Sequence, residues 1–248
     1  MEGEKMKVVR EKNVEQFNTD VYSNGGYLYS QTDKLSCQLA NSRLSQAVMS
    51  ISDFQGKKVL DIGCGDGKYT FELLKGNPVS ILGVDAAKTA IEQCEQVAKK
   101  KGLTNVTFKT IDIYKLEELG EQFDIAVIRG VLHHLLDAPS AIKSIAKVTD
   151  EVIVVEPNGY NPVLKVIEKT SKYHIEHEEK SYFPHRLDQW FNQVGGVVQS
   201  SRYCGLVPMF CPDIIAKTLK TVEPIIERTP IINKLSCAVY VQHIKIRG

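Results

Sequence analysis

The sequence has little of what marks a specialised chain. Lys and Arg number 31 against 30 Asp and Glu, a net charge of +1, so no basic field argues for nucleic acid. The six cysteines (Cys37, Cys64, Cys94, Cys204, Cys211 and Cys237) are scattered, with no C-x-x-C pair. That spacing speaks for reduced thiols in a cytoplasmic protein and against a disulfide or zinc framework. No apolar run reaches the roughly 20 residues that span a bilayer. Met1 to Lys12 is polar and charged, without the apolar segment of a secretory leader. There is no repeat and no low-complexity tract. What remains is ordinary in kind: 248 residues, 43% hydrophobic and 25% charged, the size of one α/β domain with additions.

From Lys57 onward, strand-like and helix-like segments alternate, which predicts an α/β, doubly wound fold. The expected arrangement is a seven-stranded, mostly parallel sheet with an antiparallel last strand and helices on both faces. Strands are expected near 59–62, 79–84, 106–110, 123–128, 152–155, 197–203 and 238–246. Ala90, Ile91, Cys94, Val97 and Ala98 form one stripe at helical spacing, with lysines in the last turn and Gly102 as the stop. Asp137-Ala138-Pro139 is a helix-start signal. A later helix near Arg186 to Val194 should bury Leu187, Trp190, Phe191 and Val194. Residues 1–50, with a turn at Asn24-Gly25-Gly26, Tyr22, Tyr27 and Tyr29 around it, and a helix from about Leu35 to Ser50, are expected to form a helical cap. Residues 51–248 form the main domain, with additions at about 156–183 and 205–235. In the second of these a helix near Asp213 to Val222 should break at Pro224.

The most informative stretch is Val59-Leu60-Asp61-Ile62-Gly63-Cys64-Gly65-Asp66-Gly67. It reads as a buried strand running into a tight glycine turn that opens a helix, the place where an open α/β sheet binds a nucleotide-like cofactor. A dinucleotide would need G-x-G-x-x-G. Here the spacing is G-x-G-x-G, Lys68 stands at the third position, and Asp66 would repel a pyrophosphate. Two carboxylates around the turn suit a cofactor that is cationic on this side, and S-adenosylmethionine carries an ammonium, a sulfonium and no phosphate. Asp85, 18 residues beyond Gly67, ends the second strand and suits a ribose diol. Asp112 ends the third strand and reads either as an adenine contact or as a loop aspartate.

The fourth strand ends in Ile128-Arg129-Gly130-Val131-Leu132-His133-His134-Leu135. With that segment added, the chain resembles a class I S-adenosylmethionine-dependent methyltransferase, strongly over about residues 45–160 and by architecture elsewhere. The resemblance implies S-adenosylmethionine as cofactor and S-adenosylhomocysteine as product. It implies that Asp61, Gly63 and Gly65 line the methionine part, with Cys64 also among the cofactor-binding residues, that Asp85 holds the ribose, and that Ala86 or its neighbour packs on the adenine. Asp112 and Ile113 would hold the other adenine edge, and Arg129 and Gly130 would approach the methionine end through backbone groups. Many relatives carry a small or polar residue in place of Arg129, whose side chain could instead reach Asp61 or an anionic substrate.

His133 and His134 are the candidate bases for an acceptor that must lose a proton; packing or structural hydrogen bonding is the other reading of each. His174, Glu176, His177, Glu178 and Glu179 lack H-E-x-x-H spacing and read as a solvated face, so no metal is expected. The stretch from Leu206 to Ile232 is rich in Leu, Ile, Met and Phe. It reads as core or dimer packing, or as a lid on an apolar acceptor or a patch touching a membrane. The expected function is methyl transfer to a small-molecule O, N or C nucleophile in the cytoplasm. An RNA or protein acceptor and a non-catalytic binding module are the alternatives; no Asn-Pro-Pro-Tyr-type segment follows strand four. Neither the acceptor nor the oligomeric state is written in the sequence.

Overall fold

The computed structural model describes residues 33–170 and 180–246. Strands β1 (Lys58–Ile62), β2 (Ser80–Asp85), β3 (Val106–Thr110), β4 (Ile125–Arg129), β5 (Glu151–Pro157), β6 (Gly196–Cys204) and β7 (Val239–Ile246) form a seven-stranded sheet in the order β3-β2-β1-β4-β5-β7-β6. β1 pairs with β2, and β2 with β3, in parallel. β7 runs antiparallel to both β5 and β6. Helices surround it: α1 (Leu35–Met49), α2 (Lys68–Leu73), α3 (Lys88–Lys100), α4 (Ala138–Ile145), α5 (Pro162–Thr170), α6 (Pro184–Asn192), α7 (Asp213–Arg228) and α8 (Ile232–Ser236). The mostly parallel sheet with an antiparallel last strand is the expected one. Tyr22, Tyr27, Tyr29, the Asn24-Gly25-Gly26 turn and the polar 174–179 segment lie outside the described residues.

Two compact units are built from this order. The first holds Phe54–Val127 and Leu135–Thr149. Its core is the apolar run Val59, Leu60 and Ile62 of β1 together with Ile81 and Val84 of β2. The α3 stripe buries Ala90, Ile91, Cys94 and Ala98, positions that share one face at 3.6 residues per turn. Gly102 closes the helix at φ 64°. Asp137 caps α4 by accepting the Ser140 amide at 3.0 Å, with Pro139 in the first turn, where a missing N–H costs nothing. Ser144 of α4 in turn accepts the Leu116 amide at 3.0 Å.

The second unit holds, of the described residues, 33–53, Ile128–His134, 150–170 and 180–246. Val152, Ile153, Val154 and Val155 of β5 are all buried, as a strand covered on both faces requires. Two expectations are corrected here. Trp190 and Val194 are only half-buried, while Leu187 and Phe191 carry the inner face of α6; Trp190 is instead covered edge-on by Tyr182 and by the Arg186 guanidinium. α7 does not break at Pro224 but runs on to Arg228. An interior proline costs about 3 kcal/mol, and tertiary contacts on either side of it offset that. Glu223 accepts the Leu206 amide at 2.9 Å, and Glu227 accepts the Gly205 amide at 3.0 Å and pairs with Arg43 of α1.

Candidate functional site

In the first unit, β1 ends at Ile62 and the chain turns at once. Gly63, Gly65 and Gly67 have φ of 71°, 54° and 75°, a region that a Cβ disfavours. The amides of Gly63 and Cys64 donate to the Val84 carbonyl at 2.8 and 3.0 Å, which fastens the turn to the end of β2. A Cβ on Gly67 would lie 2.8 Å from Cys94 Sγ and 3.2 Å from the Phe71 ring. The Cys94 thiol also donates to the Gly65 carbonyl at 3.3 Å. The glycine spacing is therefore set twice, by backbone conformation and by close packing onto α3. The hydrogen bond with Cys94, then burial, push the Cys64 thiol well above its ordinary pKa, which disfavours the thiolate.

Asp85 sits in register with this turn. Its Oδ2 accepts the Gly65 amide at 2.9 Å and its Oδ1 the Ala87 amide at 2.8 Å. Burial pushes its pKa up, and the amides of Ala87, Gly65 and Ala86 pull against that shift. Each carboxylate oxygen has two lone pairs, so both keep an acceptor direction for a hydroxyl. Asp61 has a structural task as well: buried at the end of β1, it accepts the Thr70 hydroxyl of α2 at 2.5 Å. Asp66 accepts the Lys68 amide at 3.2 Å, at the start of α2. Asp112 accepts the Tyr114 amide at 3.1 Å and caps the short 3-10 segment Ile113–Leu119, while the neighbouring Ile111 amide donates to the Asp85 carbonyl at 3.0 Å. This set of acceptors, the carboxylates of Asp61, Asp66, Asp85 and Asp112 around a glycine turn, fits a ligand with an ammonium and a vicinal diol. It opposes a phosphate.

In the second unit, a different carboxylate organises the strand-four segment. Glu156, at the end of β5, is fully buried. Its Oε1 accepts the Val131 and Leu132 amides at 3.0 and 2.9 Å; its Oε2 accepts the His133 amide at 3.3 Å. The same Oε2 lies 2.7 Å from His133 Nδ1. Gly130, at φ 68°, turns the chain into this cradle and donates its amide to the Val155 carbonyl at 2.8 Å. The His133 and His134 rings lie against each other with centroids 3.9 Å apart. Arg129 points elsewhere: its guanidinium donates to Ser45 Oγ at 2.9 Å and to Asn41 Oδ1 at 3.3 Å, both on α1. That side chain fastens α1 to the end of β4.

Of the residues expected from the sequence, Asp61, Gly63, Cys64, Gly65, Asp85 and Ala86 come together in the first unit, with Asp112 and Ile113 at the end of the neighbouring strand β3. Arg129, Gly130, His133 and His134 belong to the second. Glu156 is the residue that sequence reasoning undervalued. Its signal was there, a lone carboxylate directly after four apolar residues of a buried strand. The Thr70 partner of Asp61 and the α1 partners of Arg129 carry no sequence signal at all.

Comparison with known proteins gives the family. A family model described as a methyltransferase domain matches residues 53–217. Among curated proteins, a ubiquinone biosynthesis O-methyltransferase of Bartonella bacilliformis is 33% identical over 98 residues, 40% of this chain and 39% of that protein. A tRNA U34 carboxymethyltransferase of Desulfotalea psychrophila is 27% identical over 84 residues, 34% of this chain and 26% of that protein. The chain thus spans well under half the length of these curated relatives. Among solved structures, the magnesium protoporphyrin IX methyltransferase of Synechocystis with bound SAM aligns with a TM-score of 0.64 at 15% identity, over 98% of this chain and 97% of that one. That likeness is one of fold.

Proposed function

We propose methyl transfer to a small-molecule O, N or C nucleophile as the reaction of this chain, which belongs to the methyltransferase domain family and has S-adenosylmethionine as its cofactor. The observation that carries the reading is the pairing of Asp85 with the Gly65 and Ala87 amides. It presents a carboxylate with acceptor capacity beside a glycine turn that excludes phosphate by charge.

When bound, S-adenosylmethionine supplies a methyl group already activated on a sulfonium sulfur. The residues of this chain then have three tasks. Asp85 would accept the ribose hydroxyls, with Gly63 and Gly65 leaving the backbone bare for close approach and Cys64 between them contributing its main chain. Asp61 and Asp66 would supply the negative potential that favours a cationic ligand. Asp112 with Ile113, Ala86, and the backbone of Arg129 and Gly130 complete the proposed contacts. His133 is the proposed general base for an acceptor that must lose a proton, with His134 as the second candidate. Glu156 is a positioning residue: a carboxylate on Nδ1 favours the tautomer whose Nε2 accepts a proton, and it stabilises the imidazolium that forms.

Calorimetric titration of S-adenosylmethionine into the wild type and Asp85→Ala tests the cofactor half. Binding in the first and severe loss in the second is expected; equal binding by both would overturn the assignment of Asp85. Incubation with methyl-labelled cofactor and either metabolite extract or bulk RNA tests the acceptor half. The tRNA-modifying relatives favour RNA as the second reading. Label entering mainly RNA would replace the small-molecule proposal with that one.

A further inference from the structure

The connection between β6 and β7 presents its apolar side outward. On α7, Ile214 is 75% exposed and Ile225 68%, with Ile215 and Val222 also exposed. The following turn and α8 expose Ile231 (70%), Ile232 and Leu235. The inner side of the same helix carries what an ordinary surface helix shows to water. Glu223 is 1% exposed and Glu227 nearly buried. Glu223 is neutralised by Lys220 at 2.5 Å and by the Leu206 amide, and Glu227 by a two-pronged Arg43 contact and the Gly205 amide. α7 is thus inverted: carboxylates in, isoleucines out.

We propose that this face is a docking surface for an anionic lipid bilayer, on which α7 lies flat in the interface. Three observations converge. At 3.6 residues per turn, Ile214, Thr218, Val222 and Ile225 share an arc about 80° wide, which the exposed Ile215 extends to about 100°, the breadth of an interfacial apolar face. The threonines on this side need no water. Thr218, Thr221 and Thr229 each donate the hydroxyl to the carbonyl four residues back, at 2.8, 3.0 and 2.8 Å, so placing them against acyl chains leaves no hydroxyl donor unsatisfied. The charges that remain exposed are cationic with one exception. Lys217 and Arg228 lie along one edge of the arc, Lys234 follows on α8, and Asp213 at the helix start is the exposed acid of the pair of helices. Basic groups beside an apolar interfacial face are attracted to anionic headgroups.

The same charge pattern decides against a second copy of the chain. Two such faces packed on each other would bring lysines and arginine together with only Asp213 from each copy to oppose them, because both other carboxylates point inward. No described helix is long and apolar enough to cross a membrane, so the contact is one of lying on the surface. The inference goes beyond the methyl-transfer reading and does not depend on it.

The experiment is vesicle flotation of the full chain with phosphatidylcholine alone and with phosphatidylcholine containing phosphatidylglycerol, at low and high salt. The wild type should float with the anionic vesicles, at least tenfold more than with the neutral ones, and less at high salt. Ile225→Glu and Lys217→Glu, both exposed positions, should each lower flotation severalfold while leaving the melting temperature and calorimetric cofactor binding unchanged. Binding that is equal for wild type and Ile225→Glu, or absent with anionic vesicles, overturns the proposal. So does a concentration-dependent dimer, measured by light scattering, that Ile225→Glu disperses in the absence of lipid.

Discussion

Glu156 Oε2 stands 2.7 Å from His133 Nδ1, and the carboxylate accepts three successive backbone amides, of Val131, Leu132 and His133. A buried carboxylate so enclosed fixes both the ring and the chain that carries it. Glu156→Gln replaces one oxygen by an NH2 group, a donor set against the amide N–H groups that the oxygen accepted from. Hydrogen bonds to charged groups contribute about 1.5–3 kcal/mol each, so unfolding by denaturant should show a loss of at least that size. If His133 is the base, the rising limb of the pH–rate profile also moves to lower pH, because the imidazolium loses its counter-charge. A loss of stability with an unmoved profile would reduce the pair to a structural one.

Gly67→Ala and Gly102→Ala separate conformation from packing. Both glycines have positive φ, but a Cβ at Gly102 meets nothing within 4 Å, whereas at Gly67 it meets Cys94 Sγ at 2.8 Å. Gly102→Ala should cost about 1–2 kcal/mol in chemical denaturation, the left-handed penalty alone. Gly67→Ala should cost clearly more and should also weaken cofactor binding. Equal costs would show that the turn relaxes freely away from α3.

Cofactor affinity should fall on acidification through a midpoint above the ordinary carboxylate value of 3.8, because burial raises the Asp85 pKa. The ionised form is the one that accepts hydroxyl hydrogens. The stability effect has the opposite sign. A raised folded pKa makes a contribution that is present below the unfolded pKa and is lost as pH rises through the folded one. Calorimetry from pH 4 to 7, with Asp85→Asn as the titration-free control, reads the first; denaturant midpoints over the same range read the second.

Thiol reactivity should single out one cysteine. Cys37, Cys64, Cys94, Cys204 and Cys237 are buried, and Cys211 is half-exposed. Burial pushes Cys204 and Cys237 up to about 12, which removes the thiolate that reacts. Ellman's reagent should therefore label Cys211 rapidly in the native protein and all six thiols in denaturant. Rapid native labelling that survives Cys211→Ser would contradict the packing described.

Much of the cofactor turn was legible because its constraints are local. Glycines at alternate positions after an apolar run specify a turn, and the strand period places Asp85 beside it. The histidine pocket was less legible. His133 was visible as a residue type, but Glu156 acts across 23 positions of sequence, and pattern reasoning sees periods, not partners. Pro224 misled for the same reason. Its local preference is to end a helix, and Arg43, Gly205 and Leu206, all remote in sequence, hold the two glutamates that keep α7 continuous.

By itself the sequence determined the order of strands and helices, the glycine turn with Asp66 inside it, and the apolar character of 206–232. These follow from periodicity, backbone freedom and charge, which neighbouring residues settle among themselves. Tertiary structure decided which way side chains face. It turned Arg129 onto Asn41 and Ser45, tied Asp61 to Thr70, and rotated α7 so that glutamates are buried and isoleucines exposed. The physical reason is that a charge is buried only where distant groups neutralise it, and those groups meet only once the chain has folded.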